Sequence, residues 1–315
     1  MDIVGLGDPI VDLLINVPHM PKADSSVVAR EVFHQGGGKV ATAMVAAARL
    51  GAKAGMLAWV GGDFTGDFLL KDFQYNGVDT SRIVHGEPGT EGNYCIPLSE
   101  EKHGTRMFII RKLDARRLTA DELDYNYIAS ARCLHLENGF AASVAAAKFA
   151  KENGVTVSID GDGYHPEMED ILPYIDIFIG SEFYHHARFG EMDYRKSCEE
   201  IRKVGPRTCW FTLGKQGCVG LADEEFHEVS AYLVDAVDTT GAGDVFHGAY
   251  LTAMLEGQNA ANCARFACAT SAIKCMYVGG RTGIPNRKTL DTFINSGKID
   301  RTELEQRLAY YRRSF

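Results

Sequence analysis

Short apolar segments rich in β-branched residues alternate along this chain with longer segments whose apolar residues recur at helical spacing. The short segments predict strands at residues 3–6, 56–60, 155–159, 175–179 and 209–213. The longer segments predict helices at residues 40–50, 64–76, 143–153, 194–204, 245–255 and 260–276. Strands that alternate with helices in this way are typical of parallel β–α–β units. We therefore predict a layered α/β fold.

Two stretches, residues 13–35 and 89–111, interrupt this alternation. They contain strand-like pieces with no helix between them, at residues 13–17, 26–33, 93–97 and 106–110. Antiparallel strands outside the main sheet would form a small lid or flap, whereas the simpler interpretation is a pair of surface hairpins. The last segment, residues 301–313, predicts a charged helix with little apolar face.

Composition narrows the class of protein. With 315 residues, the chain is long enough for one large α/β domain with a small addition. Its formal net charge of -9 disfavours binding to nucleic acid or to an anionic membrane. The 8 cysteines form no C-x-x-C pair, and no apolar run is long enough to span a membrane. With no signal-peptide pattern at the start, we expect a cytoplasmic protein with reduced thiols.

The most informative stretch, residues 238–248, reads Asp-Thr-Thr-Gly-Ala-Gly-Asp-Val-Phe-His-Gly. Gly241 and Gly243 directly precede Asp244 and a predicted helix. Free N–H groups at a helix N-terminus attract anions, and glycines let the backbone approach one closely. Asp244 would then be a base for a hydroxyl proton beside a bound phosphoryl group. The alternative is a helix capped after a glycine-rich turn.

A second glycine run, residues 36–38, precedes Lys39 and another predicted helix. It either binds polar groups of a substrate or is a flexible loop. A P-loop is excluded because Val40 follows Lys39 where Ser or Thr is required. Asp12, just after the first strand, is placed to bind two hydroxyls or to cap a turn. Residues 213–217 either approach a nucleotide or form a hairpin turn, and residues 279–285 either fold back near the anion site or only connect two elements.

In this order, the motifs resemble those of the ribokinase-like (PfkB) carbohydrate kinase family, from residue 4 to about residue 293. The most specific string is residues 238–246, supported by residues 37–51 and 61–66. The resemblance implies transfer of the γ-phosphoryl group of ATP to a hydroxymethyl group, with Mg²⁺. It also implies a doubly wound, mostly parallel sheet flanked by helices, formed by residues 1–12, 36–88 and 112–315. Residues 13–35 and 89–111 would form a small β lid over the sugar.

The resemblance also implies residue roles. Asp244 would be the base, and Gly241, Ala242 and Gly243 would form the anion hole. The sugar-contacting positions would be Asp12, Gly38, Lys39 and Glu137, with Thr42 where the family usually has Asn, and with Arg111 at the lid edge. The nucleotide positions would be Ser181, Thr212, Gly214, Gly217 and Gly243. A monovalent cation such as K⁺ would lie near Asp238, Thr240 and Gly279.

The Asn-x-x-Glu metal motif of the family appears here as Ser181-Glu182-Phe183-Tyr184, which leaves Glu182 as the candidate for Mg²⁺. We predict an ATP-dependent kinase that acts on a primary hydroxyl of a ketose or related sugar, and that forms a homodimer through the lid. Three alternatives remain open. A sulfofructose kinase fits the combination of motifs, a nucleoside kinase would use Tyr94 or Phe108 as an aromatic platform, and a non-catalytic sugar sensor fits the altered metal motif.

Overall fold

The structure, a computed structural model, describes residues 1–100, 106–111 and 116–313 of the chain. Residues 101–105 of the predicted lid lie outside this part. No helix within the described ranges is long and apolar enough to cross a membrane.

The larger of two sheets has nine strands. In chain order they are β1 (Ile3–Leu6), β4 (Ala54–Val60), β5 (Asp79–His85), β8 (Cys133–Leu136), β9 (Thr156–Gly161), β10 (Ile177–Ser181), β11 (Thr208–Thr212), β12 (Cys218–Ala222) and β13 (Glu225–Val229). Their spatial order is β13-β12-β11-β10-β9-β8-β1-β4-β5. All pairs from β5 to β11 are parallel, and β12 and β13 are antiparallel.

This strand order confirms the doubly wound prediction. The chain starts at β1 in the middle of the sheet, adds β4 and β5 on one side, and then adds β8 to β11 on the other. The winding direction therefore reverses between β1 and β8. In sheets of this kind, ligands bind at the carboxyl ends of the strands beside such a reversal.

Helices cover both faces of the large sheet. They are α1 (Lys39–Arg49), α2 (Phe64–Tyr75), α3 (Tyr125–Ala129), α4 (Ala141–Glu152), α5 (Met168–Ile171), α6 (Glu182–Phe189), α7 (Tyr194–Val204), α8 (Ala242–Leu255), α9 (Ala260–Cys275), α10 (Arg287–Ser296) and α11 (Thr302–Arg313). Successive strand residues enter opposite cores: Ile3 packs with α1, α8 and α9, whereas Val4 packs with α4. Helix α8 is buried along most of its length between α1 and α9.

The smaller sheet contains β2 (Ile10–Val17), β3 (Glu31–Gly37), β6 (Tyr94–Glu100) and β7 (Arg106–Arg111), in the order β3-β2-β6-β7. Strands β2 and β6 are parallel, and the two outer pairs are antiparallel. The prediction of a strand at residues 26–33 was wrong for its first half. The strand begins at Glu31 and runs into the glycine run because Gly37 pairs with Ile10.

The charged helix predicted at residues 301–313 is present as α11, but it is more buried than its pattern indicated. Helix α11 has a buried face: Leu304, Arg307 and Tyr311 are at most 1 % exposed. Two of these side chains are polar, so an apolar periodicity does not reveal them. The turn at residues 213–217 does join an antiparallel hairpin, β11 to β12, and this hairpin also borders a cavity described below. All eight cysteines are buried, and none is in a disulfide bond.

Candidate active site

Ionisable side chains gather at the reversal point of the large sheet. Glu137 follows β8, Asp160 lies near the end of β9, and Asp162 follows the same strand. Lys39 begins α1, and Asp244 lies in the first turn of α8. Both helices point their N-termini at this edge of the sheet without a side-chain cap from any described residue. The site therefore combines carboxylates with the positive ends of two helices.

The N-terminus of α8 depends on two different glycines. Gly241 precedes the helix with a φ of 74°, and a Cβ there would lie 2.9 Å from the Cα of Gly280. Gly243 has open space where a Cβ would be, and it lines a cavity. The first glycine is thus required by the backbone. The second leaves room for a bound group beside the helix N-terminus.

Asp244 is half-buried in the first turn of α8. Burial raises its pKa well above the ordinary value, and the negative charge of Asp160 raises it further, while Lys39 acts in the opposite direction. A carboxylate with a raised pKa is a stronger base than an exposed one. It would take a proton from a hydroxyl group held close to it.

Lys39 balances these acids. Its ammonium nitrogen lies 3.2 Å from Asp162 Oδ2. Burial alone would lower the pKa of Lys39, but Asp160, Asp162 and Glu137 together raise it. Lys39 therefore stays charged, and it offsets part of the negative charge around Asp244.

Two further carboxyl groups, those of Glu137 and Asp12, have raised pKa values. Burial raises the pKa of Glu137 to about 7, although its Oε1 accepts the N–H of Asp8 at 2.8 Å. Burial also raises the pKa of Asp12 to about 7, with Arg281 lowering it and Asp238 raising it. Gly37 has no space for a Cβ because the carboxylate of Asp12 lies against it. Asp12 thus lies beside the glycine run.

Sequence reasoning missed a buried pair beneath this cluster. Nε2 of His247 lies 3.4 Å from Oδ1 of Asp160, and both side chains are 4 % exposed. The ring of His135 lies 5.1 Å from that of His247, and burial lowers the pKa of His135 to about 3. His247 lowers the pKa of Asp160 against the effect of burial. The available signal was the position of His247, three residues after Asp244 on one helix face.

A cavity of about 250 Å³ opens beside the start of α8. Most of its wall is apolar, contributed by the loop before α8, by α8 itself and by α9. The predicted nucleotide residues Thr212, Gly214, Gly217 and Gly243 all line it. Ser181 does not belong to the lining. Instead its hydroxyl caps α6 by accepting the N–H groups of Phe183 and Tyr184, each at 3.1 Å.

The predicted cation residues fall into two places. Asp238 accepts the backbone N–H groups of Thr240 and Gly279, both at 2.8 Å, so these three residues are in contact. Glu182 lies apart at the start of α6, and Tyr184 is buried in the core, where its hydroxyl accepts a hydrogen bond from Arg188 at 3.0 Å. Among the described residues, no group of three or more His, Cys, Asp or Glu side chains is arranged to hold a metal ion.

The remaining residues predicted to contact the sugar, Gly38, Thr42 and Arg111, lie in three different settings. Gly38 has a φ of 91° and starts α1, where a Cβ would lie 2.6 Å from the carbonyl oxygen of Asp8. Thr42 is buried, and its hydroxyl accepts a hydrogen bond from Arg281 at 3.4 Å. Arg111 pairs with Glu91.

Strand register separates Arg111 from Asp12. Asp12 pairs with Cys95, which pairs with Ile110, and these side chains share one face of the small sheet. Arg111 stands in the next row and faces the other way. The structure therefore does not bring Arg111 next to Asp12.

Comparison with known proteins agrees with this geometry. The family model described as pfkB family carbohydrate kinase matches residues 2–287. The chain belongs to the pfkB family of carbohydrate kinases. Ribokinase from Haemophilus influenzae is 28 % identical and aligns with 92 % of this chain and 97 % of that protein. Nucleoside kinase from Methanothermobacter thermautotrophicus is 27 % identical, over 90 % of this chain and 96 % of that protein.

Solved structures extend the likeness to the fold. The crystal structure of ribokinase from Thermotoga maritima has a TM-score of 0.82 and 26 % sequence identity to this chain. The match covers 94 % of this chain and 100 % of that one. The resemblance therefore extends over nearly the whole length of the fold.

Proposed function

We propose that this family member phosphorylates a primary hydroxyl group of a neutral sugar with ATP, and that Asp244 is the base. One observation carries the proposal: Asp244 lies in the first turn of a helix whose uncapped N-terminus borders both the carboxylate cluster and the apolar cavity. A base, an anion site and a nucleotide-sized cavity thus meet at one helix end. Phosphoryl transfer requires this combination.

The residues of the chain suit ATP. The apolar part of the cavity would take the base of the nucleotide, and Gly214 and Gly217 let the backbone approach it closely. The phosphates would extend toward Gly243 and the start of α8. The donor groups also fit Mg²⁺, which in kinases is held by one or two carboxylates and the phosphates themselves rather than by a complete protein cage. When bound, Mg²⁺ would neutralise phosphate charge.

The proposed reaction assigns one role to each of these groups. Asp244 accepts the hydroxyl proton of the sugar as the oxygen forms a bond to the γ-phosphorus. The bond between that phosphorus and the oxygen bridging to the β-phosphate breaks, and ADP leaves. The N–H groups at Gly241, Ala242 and Gly243 hold the charge on the transferring group.

Charge pairing favours a neutral acceptor. Four cationic side chains around the cleft and the small sheet are each bound to a carboxylate: Lys39 to Asp162, Arg117 to Asp8, Arg281 to Asp72 and Arg111 to Glu91. A sulfonate that bound to one of these four cations would have to displace its partner and then face the remaining acids. We therefore propose a neutral ketose or related sugar ahead of sulfofructose.

A nucleoside acceptor is the second candidate. Phe108 lies two residues from Ile110 on β7, on the sheet face that carries Asp12, and it is 48 % exposed. An aromatic ring in that position would stack on a nucleobase. Tyr94 stands in the row of Arg111, on the opposite face, so it is the weaker platform.

The test is ATP consumption with Mg²⁺ against D-fructose, D-ribose, other neutral sugars, sulfofructose and adenosine. Asp244→Asn keeps the shape of the side chain and removes the base, so we expect kcat to fall by about 10³-fold or more. ATP affinity, measured by calorimetry, should remain within about threefold. Near-normal turnover in this variant would refute Asp244 as the base. ATP binding without turnover on any acceptor would favour a sugar sensor.

We also propose a monovalent cation site at Asp238, Thr240 and Gly279. The contacts from Asp238 join the loop before α8 to the loop after α9, and a carboxylate oxygen is a ligand that suits a hard cation such as K⁺. Replacing K⁺ by Li⁺ in the assay should lower kcat. Equal turnover with both ions would exclude this role.

The small sheet is proposed to cover the acceptor, with the lid formed by residues 13–35 and 89–111. Its edge strand β7 exposes four consecutive apolar side chains, and an uncovered apolar edge strand favours association. We propose that a second copy of the chain covers it, giving a homodimer. The eight buried cysteines, none of them in a disulfide bond, support a reducing compartment such as the cytoplasm.

A further inference from the structure

Helix α11 lies beyond residue 287, where the match to the family model ends. It nevertheless packs against β3, the strand that carries the glycine run. Its buried face contains two polar side chains, Arg307 and Tyr311. Burying a guanidinium and a phenol is costly unless they are hydrogen-bonded, so their partners indicate what the helix does.

Tyr311 contacts α2. Its hydroxyl donates to Oδ1 of Asp72 at 2.7 Å, and Asn76 donates to the same hydroxyl at 3.2 Å. The other oxygen of Asp72, Oδ2, forms an ion pair with Arg281. Asp72 and Arg281 are 1 % and 0 % exposed. The helix thus sets the position of a fully buried ion pair.

Arg307 contacts the same loop through the main chain. It donates to the carbonyl oxygens of Arg281 at 2.9 Å and Thr282 at 3.2 Å. Its guanidinium also lies near the ring of Tyr311, 5.7 Å from the centroid. Two side chains of α11 therefore hold Arg281, one at its backbone and one through its carboxylate partner.

Arg281 in turn holds the acceptor side of the cleft. Its guanidinium donates to the carbonyl oxygen of Gly37 at 2.9 Å and to the hydroxyl of Thr42 at 3.4 Å. Its backbone N–H donates to Oε1 of Gln35 at 2.8 Å. Gly36 has no space for a Cβ because the same guanidinium lies there. These partners flank Asp12.

We propose that α11 is a positioning element of the acceptor site, acting through Tyr311, Asp72 and Arg281 on the glycine run and Thr42. The assignment of this region to the acceptor rests on the proposed function. In this proposal Thr42 does not contact the sugar. Its hydroxyl accepts a hydrogen bond from Arg281 and helps to fix the position of α1. Asp12, Glu137 and the backbone at Gly38 are left to bind the sugar. Tyr311 and Arg281 touch no reacting atom and are positioning residues.

The chain offers a matched pair of variants. Tyr311→Phe removes only the hydroxyl that donates to Asp72. Tyr277→Phe removes another buried tyrosine hydroxyl, which has no hydrogen-bond partner among the described residues. In hydrogen–deuterium exchange of the whole protein, Tyr311→Phe should speed exchange severalfold in peptides covering residues 36–44, while α4 exchanges as in the wild type. Tyr277→Phe should leave the exchange of residues 36–44 unchanged.

Kinetics provides the second measurement, with D-fructose as the acceptor probe. Tyr311→Phe should raise the KM for D-fructose about three- to tenfold, as the loss of one buried hydrogen bond implies, and leave the KM for ATP within about twofold. Arg281→Lys keeps the charge but loses the forked geometry of the guanidinium. It should therefore raise the KM for D-fructose, relative to the KM for ATP, by more than Tyr311→Phe does.

Two results would overturn the proposal. One is faster exchange confined to α11 itself in Tyr311→Phe. The other is an equal change in both KM values, which a general loss of stability produces. If D-fructose is not phosphorylated, the proposed function fails on that acceptor, and the exchange experiment in the unliganded protein still decides the role of α11.

Discussion

Asp12 is a residue whose proposed role in sugar binding conflicts with stability. Its pKa is raised from 3.8 to about 7 by burial, so the unfolded chain releases this proton at lower pH than the folded protein does. Between these two pKa values the folded state binds more protons, and stability therefore falls as pH rises. Each pKa unit corresponds to about 1.4 kcal/mol. The penalty is complete above pH 7 and smaller at pH 5.

We therefore expect Asp12→Asn to raise the melting temperature, by more at pH 8 than at pH 5, while it impairs sugar binding. Thermal unfolding followed by circular dichroism at the two pH values measures this. Glu199→Gln, on the exposed surface of α7, is the control and should give no such difference. A gain in melting temperature that is the same at both pH values would contradict the explanation by burial of charge.

At the same scale, the residues that the sequence identified were those with local signatures. Asp244, Gly241 and Gly38 stand where a glycine run meets a helix, and the chain itself shows that pattern. Asp160, His247 and Arg281 were missed because their partners come from distant segments. Arg281 meets Asp72 from 209 residues away, and no spacing rule connects the two.

At the level of elements, the two glycines at the start of α8 serve different purposes. Gly241 is required by the backbone conformation, whereas Gly243 is proposed to leave room for a bound group. Gly241→Ala places a Cβ at positive φ near Gly280, which should cost about 1–2 kcal/mol of stability. Gly243→Ala meets no atom within 4 Å and replaces glycine within a helix, a gain of up to about 1 kcal/mol. Its methyl group would nevertheless occupy the space next to the anion site. We expect the first variant to unfold earlier, and the second to be stable but nearly inactive.

Urea unfolding and kcat, measured on both variants, check this expectation. An active Gly243→Ala enzyme would show that no phosphoryl group passes close to that helix end. A Gly241→Ala protein as stable as the wild type would show that the left-handed turn is not required.

Elements with strong periodicity were predicted well, including α7 at its observed bounds and β1, α1 and α8 within a few residues. Strands β5 and β13 were missed because most of their side chains are polar. No side chain of β5 is buried, and only one side chain of β13 is. Strand β8 is as short as β1, with 4 residues, but it was missed because His135 interrupts its apolar run. These strands are determined by pairing with a neighbour, which a single segment does not reveal.

For the whole molecule, the sequence predicted two layers of helices and a separate small sheet, but it contained no strand order. The order follows from where the chain reverses, between β1 and β8, and that reversal determines where the cleft lies. The sequence pattern also could not predict that β2 and β6 are parallel. Apolar and polar residues alternate in the same way in parallel and antiparallel strands that are exposed on one face.

The surface of the whole molecule leads to a prediction about assembly. Met107, Phe108, Ile109 and Ile110 are between 48 % and 64 % exposed, and β7 is the last strand of its sheet. A monomer would leave this apolar edge in water. In a dimer joined there, a charge on either face of β7 would be buried without a partner.

Ile109→Lys should therefore convert the protein to a particle of 34.5 kDa in analytical ultracentrifugation, whereas the wild type should sediment at twice that mass. Val204→Lys is the matched control, because Val204 is also an exposed aliphatic residue, at the end of α7 on the large domain. It should leave the dimer intact. A wild-type protein that sediments at the monomer mass across micromolar concentrations would contradict the proposal. So would a dimer that persists in Ile109→Lys, since it would have to form through another surface.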